Sequence, residues 1–249
     1  MAMLLLRTTT TVLEAHCYVV APHDGAEALV VDPGAGAAPE VRHLLAEHGL
    51  RVGAVALTHG HADHLWDAAA VAGSAPVYVA PPDDYRLEDP AAALGEPLAT
   101  LFTELAGEPW HRPADVRPFP SELLSGGGAE IVPGVALRAV PAPGHTAGST
   151  VLLVSGSPVT PGVLPAGSDV HADATGRYLF ALCGDVIFAG SVGRTDLPGG
   201  DEREMISTLR TLAASLPPTT VLLPGHGPAT VLSRELATNA HVRAAVSAR

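Results

Sequence analysis

Short apolar runs alternate with turns rich in glycine and proline along most of the chain, and this pattern predicts a succession of strands and helices. Runs with β-branched residues are typical of strands, and unbroken apolar runs are typical of strands buried on both faces. Glycine and proline between the runs mark the turns. The predicted strands are residues 11–20, 27–31, 52–57, 77–79, 135–140, 150–154, 178–183 and 221–223.

Amphipathic spacing predicts helices between several of these strands. In residues 39–47, Val41, Leu44 and Leu45 lie on one helical face, and Gly49 ends the helix. Strands that alternate with helices predict an α/β fold, and the length of 249 residues fits one domain over 1–249. The other predicted helices are a segment that His64 opens and residues 90–95, 98–105, 202–216 and 233–246.

Two segments interrupt this alternation. Residues 81–124 are rich in proline and acidic side chains and contain only short helical pieces, so we interpret them as a cap over the functional site. Residues 155–168 are rich in glycine, proline and serine, which predicts a flexible surface insertion. The expected organisation is therefore one domain that carries these two additions.

Charge and composition exclude several classes of function. The formal net charge is −12, whereas a protein that binds nucleic acid needs a basic face. All 14 positions counted as Lys or Arg are arginine, so chemistry on a lysine Schiff base is excluded. No stretch of about 20 apolar residues could span a bilayer, and the apolar start at residues 1–7 is too short for a signal sequence. We expect a cytoplasmic protein that binds neither nucleic acid nor membrane.

The two cysteines, Cys17 and Cys183, provide neither a disulfide framework nor a metal-binding CxxC motif. Both lie in apolar runs that we predict to be strands. We therefore expect buried thiols without a catalytic role.

Histidines and carboxylates follow the ends of predicted strands, which is where open α/β sheets place functional sites. The densest group is H-x-H-x-D-H at residues 59–64, and the others are Gly-His at 144–145, Gly-Asp at 184–185 and Gly-His at 225–226. Imidazole nitrogens and carboxylates suit zinc, iron or manganese, whereas calcium takes an all-oxygen set. The candidate metal ligands are His59, His61, Asp63, His64, His145, Asp185 and His226.

So many ligands in one site favour a hydrolytic centre with two metal ions. Two ions about 3.5–4 Å apart can share a bridging carboxylate and lower the pKa of a bound water to about 7, so that hydroxide forms at neutral pH. Neither a serine nor a cysteine nucleophile is then required. A lone histidine in a loop is more often a surface or core residue, and we assign the others to that class: His16, His23, His43, His48, His111, His171 and His241.

Together these motifs resemble the metallo-β-lactamase fold superfamily, from the strand before Asp32 to Asn239. The resemblance implies an αβ/βα four-layer sandwich with the site at one edge. It also implies that Asp32, at the end of its strand, steadies the histidine loop, which is the loop of the H-x-H-x-D-H motif at residues 59–64. The implied ligands are His59, His61 and His145 for one metal, Asp63, His64 and His226 for a second, and Asp185 as the bridge between them.

A loop at residues 188–201 indicates which branch of this superfamily the chain resembles. Its GRTD string at 193–196 and the GG pair at 199–200 are similar to the loop of the glyoxalase II-like, or hydroxyacylglutathione hydrolase-like, single-domain branch. Two interpretations of Arg194 stay open. Its side chain either pairs with Asp196 or another acid to hold the loop, or it helps to bind the substrate beside the metals.

The glyoxalase II-like resemblance implies an enzyme, a hydrolase that uses a metal-bridging hydroxide on a small acyl thioester. Asp63, Asp185 and Asp32 are then the catalytic carboxylates. Two divalent metal ions are the implied cofactors, with zinc expected and iron or manganese open. The alternative is a persulfide dioxygenase of the same superfamily, with one iron held by His59, His145 and Asp185. Metal content distinguishes the two.

The substrate is less defined than the site. Glutathione-specific members carry an additional helical domain with basic contacts to the thiol, whereas here 23 residues follow His226 and lysine is absent. This argues against glutathione as the carrier, and the acyl group and the oligomeric state stay open. A β-lactamase is disfavoured because those enzymes are usually exported, and a nuclease because those members carry a large inserted domain and a basic surface.

Overall fold

The computed structural model describes residues 2–159, 161–167 and 169–247 of the chain. In the first half of the chain most strands are followed by short helices. Its elements are β1 (Ala2–Thr9), β2 (His16–Ala21), β3 (Glu27–Val31), α1 (Ala38–Glu47), β4 (Arg51–Ala56), α2 (Ala62–Leu65), α3 (Ala68–Ala72), β5 (Val77–Val79), two 3₁₀ helices (Pro81–Leu87 and Ala92–Leu94), α4 (Leu98–Ala106), β6 (Val116–Pro118) and α5 (Ser121–Leu124).

The second half begins with a meander of strands and ends in helices. None of the helices within the described ranges is long and apolar enough to cross a membrane. The elements are β7 (Ala129–Val132), β8 (Val135–Pro141), β9 (Thr150–Pro158), a 3₁₀ helix (Pro161–Val163), β10 (Tyr178–Gly184), β11 (Ile187–Phe188), β12 (Ser191–Val192), α6 (Glu202–Ser215), β13 (Val221–Pro224), β14 (Thr230–Val231), α7 (Leu232–Thr238) and α8 (Ala240–Ser247).

Twelve of the strands form one continuous sheet that divides at a narrow junction into two halves, called here the first and the second sheet, and β11 and β12 form a separate two-stranded sheet. The first has the order β6-β5-β4-β3-β2-β1, and the second has the order β7-β8-β9-β10-β13-β14. They are joined through β1 and β9, which run parallel and, among the described residues, pair at Ala2 with Ser157 and at Met3 with Pro158. Because this junction is short, the two sheets can turn their faces towards each other.

Alternating side chains on each strand place apolar residues on both faces of both sheets. Leu29 on β3 and Leu152 on β9 belong to the core between the sheets. Val30, one residue further along β3, faces outward against α1 and α3, where Val41 is buried. On the second sheet Leu153 faces outward against α6 and α8. Helices therefore cover both outer faces, which confirms the αβ/βα sandwich.

Several of the predicted elements differ in the structure. The helix that His64 was expected to open begins at Ala62 and is interrupted after Leu65, and the helix expected at 90–95 is a 3₁₀ helix at Ala92–Leu94. The strand expected at 11–20 begins only at His16, because Leu13 and Glu14 adopt positive φ angles of 56° and 55° that a strand does not allow. The helix expected at 233–246 is divided into α7 and α8. Asn239 separates them, and its Oδ1 accepts hydrogen bonds from the first free backbone N–H groups of α8, at His241 (3.0 Å) and Val242 (3.3 Å).

The two segments expected outside the alternation are partly integrated into the sheets. Within the cap region 81–124, β6 pairs in parallel with β5 and so extends the first sheet. Within the insertion 155–168, β9 continues to Pro158 and pairs with β10. Residues 160 and 168 of that insertion lie outside the described residues, and its flexibility stays a prediction.

Candidate metal centre

The seven candidate ligands come from four separate loops, and the fold gathers all of them at one edge of the sandwich. Each loop follows the end of a strand: β4, β8, β10 or β13. In the H-x-H-x-D-H motif, His59 and His61 precede α2, whereas Asp63 and His64 lie within it. Ligands from both sheets therefore meet where the strands end, as the strand-end pattern in the sequence predicted.

The first group of ligands consists of His59, His61 and His145, all of them buried. One nitrogen of each ring lies within 4.8 Å of the others. The shortest approach is 2.8 Å, between His61 Nδ1 and His145 Nε2. Three imidazoles from two distant loops thus direct their nitrogens at one point.

The second group consists of Asp63, His64 and His226, and it adjoins the first. His64 Nε2 lies 3.2 Å from His226 Nε2, and Asp63 Oδ2 lies 3.3 Å from His226 Nε2. Asp63 and His226 are half-buried whereas His64 is fully buried, so this group reaches the surface of the cavity.

Asp185 lies between the two groups and contacts both of them. Its Oδ2 is 3.5 Å from His145 Nε2, and its Oδ1 is 3.3 Å from His64 Nε2. Burial acts to raise the pKa of Asp185, but His64 and the other imidazoles outweigh it and hold the pKa well below its usual range. An ionised carboxylate in this position is suited to bridge two cations.

Asp32 and Thr58 determine which nitrogen two of the histidines present. Asp32 Oδ2 lies 3.1 Å from His64 Nδ1 and also accepts a hydrogen bond from Thr58 Oγ1 at 2.6 Å. Because the hydroxyl of Thr58 donates its proton to Asp32, Thr58 Oγ1 accepts a hydrogen bond from His59 Nδ1, at 3.1 Å. Both rings then carry their proton on Nδ1 and turn the lone pair of Nε2 towards the candidate metal position.

The backbone carbonyl of Arg194 does the same for His145, since it accepts from His145 Nδ1 at 2.7 Å. The side chain of Arg194 is exposed and donates to both carboxylate oxygens of Asp196, at 2.7 and 2.6 Å. The ion pair between Arg194 and Asp196, one of the two interpretations that the sequence left open, is therefore present. Arg194 also orients the candidate ligand His145 through its main chain. Whether its side chain binds substrate stays a prediction.

Burial and neighbouring charges shift the pKa values of His59 and His61 in one direction and that of His64 in the other. Burial lowers the pKa of His59 and brings that of His61 down to about 3, so both rings are neutral near pH 7. Neutral imidazole is the form that binds a metal. Burial also acts to lower the pKa of His64, but Asp185 and Asp63 outweigh it and raise the pKa. A metal cation would take the place of the proton held there.

The backbone approaches the site so closely at two glycines that no side chain fits. A Cβ at Gly225 would overlap Asp185 Oδ1 and His64 Cε1, and a Cβ at Gly34 would overlap the carbonyl of Asp63. These glycines allow the loops to converge on the ligands.

Asp83 joins two of the ligand loops and was not singled out in the sequence. It is fully buried and accepts hydrogen bonds from the backbone N–H of Gly60 (2.8 Å) and of Gly148 (2.9 Å), and from Thr146 Oγ1 (2.7 Å). Arg86 Nε lies 3.5 Å from the same carboxylate. A carboxylate shortly after β5, the strand beside β4, was a signal that could have revealed it.

His16, assigned in the sequence to surface or core, supports the loop of His226 from β2. Its Nε2 lies 2.7 Å from the carbonyl oxygen of Gly227. Two residues along the strand, the hydroxyl of Tyr18 donates to the carbonyl of Pro224 at 2.7 Å. The two side chains hold the ends of the loop without contributing a ligand atom.

The donor set fits divalent transition-metal ions. Two of its atoms, His59 Nε2 and Asp185 Oδ1, are buried without a hydrogen-bond partner among the described residues. Buried polar atoms without a partner are costly, and coordination of a cation would satisfy them. Nitrogen and carboxylate ligands suit zinc, iron and manganese alike.

The chain matches the family model described as the metallo-beta-lactamase superfamily over residues 10–160. The match covers more than half of the chain and includes the H-x-H-x-D-H motif and His145. The chain therefore belongs to the metallo-β-lactamase superfamily, whose members bind divalent metal ions.

Proteins of similar sequence come from several bacteria. An uncharacterised protein of Mycobacterium tuberculosis is 34% identical over 235 residues, which cover 94% of this chain and 95% of that protein. The probable metallo-hydrolase YqgX of Bacillus subtilis is 28% identical over 221 residues, or 88% of this chain and 87% of its own length. The hydroxyacylglutathione hydrolase of Cupriavidus metallidurans is 33% identical over 198 residues, or 79% of this chain and 58% of that enzyme.

Solved structures share the fold over almost the whole chain. The BLEG-1 B3 metallo-β-lactamase has a TM-score of 0.71 at 25% identity and covers 96% of this chain and 99% of its own. TTHA1623 in a di-iron-bound form has a TM-score of 0.67 at 29% identity, with 94% and 98% covered. ETHE1 from Myxococcus xanthus has a TM-score of 0.65, covers 98% and 88%, and at 19% identity shares the fold alone.

Proposed function

We propose that the protein is a dinuclear metallohydrolase that cleaves small acyl thioesters. One observation carries the proposal: two complete groups of ligand atoms meet at one ionised carboxylate, Asp185. His59, His61 and His145 would hold one metal ion, and the second group would hold the other. The similarity to the hydroxyacylglutathione hydrolase of Cupriavidus metallidurans supports a thioester as the substrate class. The di-iron form of TTHA1623 supports two ions.

Bound divalent ions would supply a water of lowered pKa and would polarise the thioester carbonyl. The protein's own groups orient the ligands and receive the proton. Asp32 and Thr58 hold the imidazoles with Nε2 facing inward. Asp63 is half-buried in the cavity wall, and its pKa is low: burial would raise it, but His64 and His226 outweigh that effect. Its carboxylate is therefore ionised and positioned to accept the proton of water.

Hydrolysis forms a bond between the water oxygen and the carbonyl carbon and breaks the carbon–sulfur bond. The electron pair of that bond leaves on sulfur as a thiolate, and the products are a carboxylate and a thiol. A thiol has a pKa near 8.5, so the sulfur leaves without a strong general acid. The carbon–sulfur bond of a thioester therefore breaks more readily than the carbon–nitrogen bond of an unactivated amide, whose amine leaving group needs such an acid.

The test measures metal content and thiol release together. Freshly purified, metal-loaded protein is assayed with S-lactoyl thioesters, and its metal ions per chain are counted. We expect two ions per chain and a kcat/KM that the Asp63→Ala substitution lowers by about 100-fold. The control is Asp24→Ala, an exposed carboxylate in the turn between β2 and β3, which we expect to leave hydrolysis unchanged.

Two outcomes would overturn the proposal. Hydrolysis of S-lactoyl and of longer-chain S-acyl thioesters that is no faster with the native protein than with the Asp63→Ala variant would refute thioester cleavage. One iron per chain, together with oxygen uptake on a persulfide, would favour the dioxygenase instead. That reaction uses only His59, His145 and Asp185, so the completeness of the second ligand group counts against it.

A further inference from the structure

A cavity of about 280 Å³ opens directly beside the candidate metal centre. One end of it is formed by His61, Asp63, His145 and Asp185, and thus by ligands of both groups. The remainder is almost entirely apolar and is lined chiefly by leucines. A molecule whose reacting carbon lay at the ligands would have the rest of its length among hydrocarbon side chains.

Three separate segments of the chain supply this apolar wall. Helix α4 contributes Leu98, Leu101 and Leu105 at helical spacing, the loop before β2 contributes Leu13, and the loop after β12 contributes Leu197. Leucines from segments so far apart in sequence converge on one cavity. Convergence of this kind indicates a binding surface rather than an isolated exposed side chain.

Several of these leucines remain exposed to solvent, which a purely structural role does not explain. Leu13 is 52% exposed, Leu101 51% and Leu105 49%. Leu13 moreover has a left-handed backbone with φ of 56°, a conformation that costs a residue with a Cβ about 1–2 kcal/mol. The fold tolerates this cost and leaves apolar surface in water at the mouth of the site.

The charges lining the cavity do not favour an anionic substrate. Histidines apart, Arg194 is the only basic residue among the described residues that line it, and its guanidinium is bound to both carboxylate oxygens of Asp196. Asp63 and Asp185 are carboxylates themselves. Away from the metal positions, a carrier thiol with several carboxylates or phosphates would therefore meet, among the described residues that line the cavity, only the guanidinium of Arg194, which is already paired with Asp196.

We propose, on the basis of the proposed function, that this cavity binds the apolar acyl chain of an uncharged thioester. The acyl chain fits the cavity better than the thiol portion does. The thiolate must leave to solvent after cleavage, whereas the acyl group can stay between the leucine side chains. The leucine-lined cavity then sets specificity for medium-length aliphatic acyl groups, and lactoyl or acetyl groups are poor substrates.

The test uses the metal-loaded protein and a series of N-acetylcysteamine thioesters from acetyl to octanoyl. Burial of one methylene favours binding enough to raise kcat/KM about two- to fourfold per added group until the cavity is filled. We expect hexanoyl to exceed acetyl by at least about tenfold on that scale. Calorimetric titration with hexanoate and acetate provides a second measurement, and hexanoate is expected to bind more tightly.

Substitutions show whether the cavity is responsible. Leu101→Ser is expected to lower the hexanoyl-to-acetyl ratio of kcat/KM by about fivefold or more, together with the affinity for hexanoate. The matched control is Leu124→Ser on α5, a leucine 41% exposed and outside the cavity, which is expected to leave the ratio unchanged.

Failure of this inference is distinguishable from failure of the proposed function. If no thioester of any length is cleaved, the proposed function is wrong. If acetyl is cleaved but the rate is flat or falls with chain length, the acyl cavity alone is refuted. A ratio that Leu101→Ser leaves unchanged refutes it too. A third outcome would also refute the acyl cavity: light scattering detects a dimer that Leu101→Ser dissociates, and the hexanoyl-to-acetyl ratio of kcat/KM stays near one. The leucines would then form a contact between subunits.

Discussion

Asp32 is a residue whose backbone and side chain both serve the candidate site. Its φ of 53° lies in the left-handed region, which aspartate and asparagine tolerate better than most residues. Its Oδ1 accepts a hydrogen bond from the backbone N–H of Thr58 at 2.7 Å. Its Oδ2 accepts hydrogen bonds from Thr58 Oγ1 and from His64 Nδ1. One buried carboxylate thus holds the start of the histidine loop and orients a ligand.

At the scale of this residue we predict that Asp32→Asn keeps the fold but weakens metal binding. Asparagine fits the same backbone conformation, but one of its two side-chain atoms is a donor and cannot accept from Thr58 or His64. Metal affinity and kcat/KM are expected to fall about 10- to 100-fold, as for other residues that orient ligands. Metal titration and circular dichroism measure the two effects, and an unchanged affinity would contradict the role.

At the scale of elements, the segment after β5 connects the loops that carry the ligands. Asp83 binds the loop after β4 through Gly60 and the loop after β8 through Thr146 and Gly148. Arg86, also fully buried, donates to the carbonyl of Pro198. The ion pair between Asp83 and Arg86 therefore lies among three loops that border the site.

We predict that Asp83→Ala destabilises the protein strongly. It removes three accepted hydrogen bonds and leaves the buried Arg86 without its carboxylate, and loss of one partner from a buried ion pair costs about 3–5 kcal/mol. The adjacent exposed residue provides the control, since Asp84→Ala is expected to change the free energy of unfolding by less than about 0.5 kcal/mol. Urea denaturation measures both, and equal effects would refute this role for Asp83.

At the scale of the whole molecule, the candidate ligands join the two sheets. The histidine loop belongs to the first sheet, whereas His145, Asp185 and His226 follow strands of the second. Within the part of the chain that the structure describes, the sheets themselves are joined at two residue pairs between β1 and β9. Ions shared by the two ligand sets would therefore add a cross-link at the edge where the strands end.

Removal of metal is accordingly expected to lower the thermal stability of the whole protein. A ligand at 100 times its Kd stabilises the folded state by about 2.7 kcal/mol, which corresponds to about 5–10 °C in Tm for a chain of this size. Calorimetry with and without a chelator measures the shift. The Asp185→Asn variant, which weakens the shared ligand, should show a smaller shift. An unchanged Tm in protein proven free of metal would contradict the prediction.

The ligand positions could be found in the sequence because each lies next to a strong local signal. The apolar run of β10 followed by Gly184 and Asp185, for example, shows both the strand and its end. The supporting residues carried weaker signals. Asp83 follows the end of β5, which marks its position but not its partners, and both Asp83 and His16 act through hydrogen bonds to loops distant in sequence.

The strand β1 escaped prediction for a different reason. Leu4, Leu5 and Leu6 are all buried, since one face of β1 packs on the core between the sheets and the other under the outer layer. A strand buried on both faces has no alternation of apolar and polar residues. Periodicity alone cannot distinguish such a short apolar run from a segment of buried helix, and at the start of the chain the run was weighed only as a signal sequence.

The sequence by itself determined the α/β class and the chemistry of the candidate site, because strand ends, glycines and donor types are local properties of the chain. The tertiary structure placed Asp185 3.3 Å from His64 and 3.5 Å from His145, where the resemblance had implied a bridge, and only the tertiary structure showed that Arg194 orients His145 through its carbonyl. It alone also assembled a leucine-lined cavity from three segments. Distances between loops depend on how both sheets pack, and no local pattern along the chain encodes that packing.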